Sequence, residues 1–388
     1  MTAEGQAPTV SVLLPAYNHA AFVGEAVESV LSQSFGDFEL IVTDDGSTDG
    51  TAEVLRRYRD PRIKLEVLGR NEGAAPASNR CVERARGEFV AMANSDDFFL
   101  PGKLERQVQL LRRRPEVAAV FGQVRFVDEA GQTMPAASNP FADLFTTVEP
   151  DRFAWLRTFF LRGNGLCQPT IMARRDVYRQ IGAYDPSLRQ LHDFDLWVRM
   201  CARHEIHVLP DALIGYRVLA KGRNASAPSA AVIRRTVWEH TRVRERYRHM
   251  DPETLRRAFG ADIPAAITAR DLPMPVQLAL MAAGLDSPQF HLFALETLQD
   301  AVQRQVPGVT AADLHEVSGR VDPLRLLEYD AQRMALLEVT RQRDEARLQV
   351  DGLAGYLRAS IAALQVRDAG VVVEEMSQAM AAFRPSGS

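Results

Sequence analysis

Residues 88–101 read EFVAMANSDDFFLP. The strand-like run EFVAM gives way at once to an amide, a hydroxyl and two adjacent carboxylates, at Asn94, Ser95, Asp96 and Asp97. Neighbouring acids repel each other and resist desolvation, so a pair at the end of a buried strand asks for a cation or a cluster of donors. The stretch matters for the fold because the same motif, an apolar run ending in polar residues, recurs upstream.

Working outward, VSVLLPAY (10–17), FELIVTDDG (38–46) and IKLEVLG (63–69) precede this strand, and VAAVFGQVRFVD (117–128) follows it. Between them lie stretches with helical spacing: 20–33, a segment capped near Ser47, Thr48 and Asp49 that runs to residue 58, 74–85, and 103–114. Strands alternating with helices predict βαβ units and an α/β fold with a mostly parallel sheet. Near-continuous apolar strands predict burial on both faces.

Residues 131–150 read as a loop, DRFAWLRTFFLR (151–162) as a helix, and 168–218 as short strands mixed with helices, including DFDLWVRMCARH. AKGRNASAPS, near residue 225, has the Gly/Ser/Asn character of a lid. The expected division is an α/β domain over 1–225 and an α-helical C-terminal domain over 226–388. Helices over 231–365 are broken at DLPMP, LDSPQ and VDPL. Leu327, Met334 and Leu348 suggest a short helical hairpin, since Arg341 and Asp344 interrupt the seam. The RPSGS tail reads as disordered.

The 388 residues are 46% apolar and 25% charged, with a net charge of -4, which argues against a dedicated nucleic-acid binder. Three cysteines without a CxxC pair suit a reducing compartment. The first residues lack a signal-peptide pattern and no apolar run is long enough to span a bilayer, so a cytoplasmic chain is expected, able to rest on the inner face of the plasma membrane.

In an open parallel sheet, ligands bind beyond the carboxyl ends of the strands. Polar residues stand at each of those ends: Tyr17-Asn18, Asp44-Asp45, Arg70-Asn71, and Asn94 to Asp97. Tyr17 can stack on a base, Asp44 or Asp45 can accept from a base N–H, and Arg70 can face a phosphate. Asp96 and Asp97 are hard oxygen ligands suited to Mg²⁺ or Mn²⁺, ions that bind through a few carboxylates plus substrate phosphates. No GxGxxG follows the first strand and no GxxxxGK[ST] occurs, which removes support for nicotinamide dinucleotides and for P-loop ATP hydrolysis. TDDGSTDGT lacks the closing Glu of an EF-hand, and His204-Glu205-Ile206-His207 is not HExxH.

VSVLLPAYN, LIVTDDGSTDGT, NEGAAPASNRCVERARGEFVAMANSDD and HDFDLWVRM, in this order, resemble the family 2 glycosyltransferases of GT-A fold, over roughly residues 8–225. The resemblance implies a Rossmann-like, mostly parallel mixed sheet with flanking helices. It also implies inverting, metal-dependent transfer of a sugar from a nucleotide diphosphate, most readily a UDP-sugar, to a hydroxyl of a glycan, lipid-linked or protein acceptor. The pathway implied is synthesis of a bacterial surface polysaccharide or glycoconjugate. Pro15, Tyr17, Asn18, Asp44, Asp45, Arg70, Asn79, Asn94, Ser95 and Asp96 then become the donor-binding set, with Asp96 and Asp97 at the Mn²⁺ or Mg²⁺ site. Asn94 departs from the family's D-x-D, where an acid is usual, and His192 stands where the family commonly has Glu. Asp193 matches the family's general base. His192, Trp197 and Arg217 are candidate acceptor or phosphate contacts, although the spacing of Trp197 with Asp193 and Cys201 favours core packing. Asp195 reads as a helix cap. Rival readings are a sugar-1-phosphate nucleotidyltransferase and a non-catalytic sugar-nucleotide-binding scaffold.

Residues 234–249, RRTVWEHTRVRERYRH, carry eight Arg or His against two Glu. They read either as a basic helix on anionic lipid or as a solvated face with ordinary ion pairs. Later helices can recognise a large acceptor or hold a homodimer together.

Overall fold

The computed structural model describes residues 7–135, 139, 144–219 and 229–320. The lid stretch around 220–228, the helical hairpin expected near Leu327–Leu348 and the tail lie outside the described residues. Residues 1–322 form one compact unit and 323–388 another.

The strands are β1 (Val10–Ala16), β2 (Phe38–Asp44), β3 (Ile63–Val67), β4 (Phe89–Met92), β5 (Phe98–Phe99), β6 (Val117–Val127), β7 (Met172–Arg174) and β8 (Glu205–Arg217). They form one sheet in the order β3-β2-β1-β4-β7-β6-β8-β5. The pairs β3-β2, β2-β1 and β1-β4 are parallel, as the alternating pattern predicts. The mixed character comes from β7, antiparallel to both β4 and β6, and from β5, antiparallel to β8. Val12 lies opposite Leu40 on one side and Ala91 on the other, so β1 is central.

The helices are α1 (Val23–Leu31), α2 (Thr51–Arg56), α3 (Ala74–Arg84), α4 (Lys103–Arg113), α5 (Arg152–Arg162), α6 (Arg175–Ile181), α7 (His192–Cys201), α8 (Ala230–Arg248), α9 (Pro252–Phe259), α10 (Ala265–Thr268), α11 (Met274–Ala283), α12 (Pro288–Gln303) and α13 (Ala311–Arg320). Side chains alternate across a strand, so neighbours serve opposite cores. Val12 and Leu14 join Val23, Val27 and Leu104 on one face. Leu13 and Ile41 belong to the other core, with α3, α5 and α7.

That second core continues into the helices after residue 229. Phe160 on α5 meets Tyr247, Phe259, Phe290 and Phe293 with ring centroids 5.0 to 5.5 Å apart. The Tyr247 hydroxyl, fully enclosed, donates to the Leu156 carbonyl at 2.9 Å. Three arginines of α8 form ordinary ion pairs: Arg242 meets Glu245 and Glu296, Arg246 meets Asp185 and Asp195, and Arg248 meets Asp300. Among the described residues no helix is long and apolar enough to cross a membrane.

Candidate active site

The carboxyl ends of β1 and β2 are joined by side-chain-to-backbone bonds. Asn18 takes the left-handed conformation, φ 53°, which Asn tolerates better than most residues. Its Oδ1 accepts from Thr48 N at 2.8 Å, and its own N donates to Ser47 Oγ at 2.9 Å. Pro15 sits within β1 opposite Thr43, half-buried, and Tyr17 beyond it is exposed at 42%. Asp44 is fully buried: Oδ1 accepts from Ser47 N at 3.0 Å, while Oδ2 has no hydrogen-bond partner among the described residues. A buried carboxylate oxygen left unpaired is costly unless a ligand donor completes it.

Asp45 has another task. Both of its oxygens are occupied, by Glu72 N at 2.7 Å and Gly73 N at 2.9 Å, so it anchors the loop after β3 instead of facing a ligand. Burial raises its pKa, against the pull of those two N–H groups. Gly46, at φ 69°, lets this loop pass: an added Cβ would lie 2.5 Å from the Arg70 backbone. Arg70 itself is exposed on the rim.

The two acids that opened the sequence reading have opposite surroundings. Asp97 is buried, with Oδ1 accepting from Arg217 N at 2.8 Å and Oδ2 from Asn94 Nδ2 at 3.0 Å. Burial and the charge of Asp96 push its pKa well up. It is therefore enclosed by protein donors, in contrast to Asp96 beside it. Arg217 is 1% exposed, bound to the carbonyls of Asp96 and Glu129 and to the carboxylate of Glu25. Its guanidinium also lies 4.9 Å from the Phe22 ring. It braces the strand end from within, so the expected phosphate contact gives way to a structural role.

Asp96 is half-buried and its carboxylate accepts no hydrogen bond among the described residues. His19 Nε2 lies 3.9 Å from its Oδ2. The other ring nitrogen, Nδ1, is 2.7 Å from Ser95 Oγ, and the His19 backbone N donates to Thr51 Oγ1 at 2.9 Å. His19 belongs to this rim although no sequence signal assigned it there. Its position next to the Tyr17-Asn18 turn was the available clue.

The remaining candidates lie at the start of α7. Asp193 Oδ2 accepts from Asn164 Nδ2 at 3.2 Å, and Oδ1 from Phe194 N at 2.7 Å. Burial raises its pKa, opposed by charge on His192 and by those donors. His192 is 8% exposed, edge-on to Tyr184 at 5.6 Å, with Nδ1 lacking a partner among the described residues. Asn79 does not face a ligand: it clasps the Tyr184 backbone, donating to O at 2.8 Å and accepting from N at 2.9 Å. Trp197 lies wholly in the core, edge-on to Phe121 at 4.9 Å, and offers no surface to an acceptor. Asp195 is not a cap. It is fully buried between Arg199 and Arg246, both at 2.7 Å, and so fastens α8 to α7.

Sequence reasoning also missed Glu239 of α8. Fully buried, its carboxylate accepts from the backbone N of Arg189, Gln190 and Leu191 at 2.7 to 2.9 Å. Three charge-assisted bonds hold the turn that launches α7 and Asp193.

The buried Cys167 thiol is pushed well up, first by burial and then by the charges of Asp97, Asp193 and Asp96. The charges at the end of β4 and at the start of α7 are thus both felt at Cys167.

The glycosyl transferase family 2 model matches residues 11–182. EpsE of Bacillus subtilis is 32% identical over 201 residues, spanning 50% of this chain and 66% of that one. TuaG of the same organism, whose name refers to teichuronic acid biosynthesis, is 44% identical over 109 residues, or 28% of this chain and 43% of that one. The matched segments thus span just under two thirds, and well under half, of those relatives' own lengths. The S. aureus TarS fragment 1–349, solved with UDP-GlcNAc, aligns over 80% of this chain and 88% of that one, with a TM-score of 0.53. At 18% identity that likeness speaks for a shared GT-A fold. With the family signature running from β1 through α6, residues 11–182 form a family 2 glycosyltransferase domain.

Proposed function

We propose that the chain transfers a sugar from a nucleotide diphosphate to an acceptor hydroxyl by a single, inverting displacement. The observation that carries this reading is the rim formed by the carboxyl ends of the parallel neighbours β2, β1 and β4, where Asp44, His19 and Asp96 stand side by side. Asp96 is a carboxylate without a hydrogen-bonded partner among the described residues, and Asp193 is a carboxylate oriented by Asn164. Tyr17 is the platform for the base, and the buried, unpaired Oδ2 of Asp44 is the acceptor for a base N–H. Arg70 and Asn94 face the ribose and phosphates.

Among the described residues no group of three or more His, Cys, Asp or Glu forms an all-protein metal cage. The rim nevertheless fits Mn²⁺ or Mg²⁺, because these ions are held through one or two carboxylates plus substrate phosphates. Asp96 would hold the ion, since both oxygens of Asp97 are occupied. When bound, the ion neutralises charge that builds on the leaving diphosphate. Asp193 accepts the proton of the acceptor hydroxyl, and that oxygen attacks the anomeric carbon from the side opposite the leaving group. Asn164 and the turn held by Glu239 fix the direction of the carboxylate. The acceptor class, a bacterial surface glycan, is supported by the relative named for teichuronic acid biosynthesis.

The test is a thermal-stability screen of nucleotide sugars with and without Mn²⁺, followed by NMR of the product anomer. Metal-dependent stabilisation by one donor and an inverted product are expected. Retention of configuration, or indifference to every donor, contradicts the reading.

A further inference from the structure

Beside this rim lies a cleft of about 530 Å³ that the donor chemistry leaves unused. One wall is the 71–76 loop, which Asp45 anchors through Glu72 and Gly73. The facing wall is 186–189, the turn that leads into α7 and is held by Glu239. Arg235, Trp238 and Glu239 of α8 complete it. Their spacing of three and four residues puts them on one helix face.

The charges facing the cleft can be sorted. Glu72 is paired with Arg80 at 2.9 Å. Glu239 is buried under three N–H groups. Arg189 is exposed and its guanidinium forms no ion pair among the described residues, while Arg235, which has a partner of its own, also lines the cleft. Trp238 is 50% exposed, an unusual setting for so large an apolar ring.

We infer that this cleft binds the acceptor, and that the acceptor is an anionic sugar, carrying a carboxylate or a phosphate. An indole face takes the C–H side of a sugar ring, and guanidinium groups take carboxylate or phosphate by paired, charge-assisted bonds. The position suits an acceptor, because the two walls lead directly to the loop anchored at the donor rim and to the helix that carries Asp193. The inference rests on the reading of Asp193 as the base.

Tryptophan fluorescence gives a direct readout. The chain has three tryptophans, and Trp155 and Trp197 are fully buried, so a contact quench reports on Trp238. The full chain is titrated with glucuronic acid, glucose 6-phosphate and glucose, with UDP and Mn²⁺ present and absent. At least one anionic sugar should bind about tenfold tighter than glucose, and which one responds separates carboxylate from phosphate. Arg189→Gln and Arg235→Gln should each weaken it several-fold, and Trp238→Ala should abolish the response, with unchanged circular dichroism in all three. UDP should not compete. Equal binding of glucose, no response to either anion, displacement by UDP, or full binding by the Arg189→Gln/Arg235→Gln pair would overturn the inference. The two readings fail separately. Loss of Mn²⁺-dependent UDP binding in the wild-type chain counts against the glycosyltransferase reading alone. Loss of charge selectivity with UDP binding intact counts against the cleft alone.

Discussion

The end of β4 and the start of α7 solve the same problem in different ways. Each must keep a carboxylate available for chemistry inside a mostly apolar body. At β4 the solution lies within the sheet: Asn94 and the Arg217 backbone at the end of β8 enclose Asp97, and Asp96 is left without a hydrogen-bonded partner among the described residues. At α7 the solution is remote. Asn164 orients Asp193, and Glu239 and Arg246, both from α8, fasten the turn before it and the Asp195 beside it. The proposed metal-binding end therefore depends on the neighbouring strand β8, whereas the proposed base depends on α8, a helix that packs outside the sheet. Damage to the C-terminal helices should act on turnover before it acts on donor binding.

The largest expected effect tests the base. Asp193→Asn should lower transfer by about 10³-fold, within the range for a lost general base, while UDP affinity measured by calorimetry stays within twofold. Wild-type turnover in this variant would remove Asp193 from the mechanism. The raised pKa of Asp193 adds a pH signature. Since the base must be ionised, kcat should decline on the acid side at a pH above the usual carboxylate range, and an acid limb at the ordinary value would show that burial does not reach it.

Next comes the asymmetry within the acid pair. Asp96→Asn should weaken Mn²⁺-dependent UDP binding by about 100-fold, equivalent to about 2.7 kcal/mol, with little change in Tm. Asp97→Ala should do the opposite first. It strips an acceptor from a buried N–H and an amide, which costs about 1–3 kcal/mol each by the usual penalty for orphaned polar groups, read as a lower Tm. Equal effects of both variants on metal binding would erase the distinction between the two acids.

Glu239→Gln sharpens the comparison from the other side. It replaces a charged acceptor of three N–H groups with a neutral one, so kcat should fall about tenfold with KM for the donor little changed. The conservative Glu239→Asp should recover part of the loss. An equal loss of donor affinity would mean that α8 supports the whole rim and not the base alone.

The last effect is on stability alone and concerns Lys103, buried beneath the β4 end, where burial lowers its pKa to about 7. An unfolded lysine titrates near 10.4. Between the two values the unfolded chain binds more protons, so stability rises with pH, and the penalty is full below pH 7. The slope should add about 2 kcal/mol between pH 7 and 9. Comparing wild type with Lys103→Met by denaturant melts at both pH values checks it, and identical slopes would contradict it.

Much of the first half was legible because its signals are local. Apolar runs from β1 to β4 alternate with helices at short range, and the acids lie directly beyond the strands they follow. What was not legible depends on distant partners. The three-residue β7 is too short to announce itself, yet it inserts antiparallel between β4 and β6. Asp45 and Asp44 are adjacent and identical in type, and only the loop after β3 separates anchor from open acceptor. Asp195 resembled a cap until Arg246 arrived from α8. Trp197 followed its helical spacing into the core, whereas His19 and Glu239 carried no motif at all.

The most direct test of the central claim is a calorimetric titration of UDP, with and without Mn²⁺, into wild-type, Asp96→Asn and Asp193→Asn protein. One shared pocket, with the metal end at Asp96 and the base at Asp193, predicts metal-dependent binding in wild type, its loss in Asp96→Asn, and its survival in Asp193→Asn. Undiminished metal-dependent binding in Asp96→Asn would contradict the account.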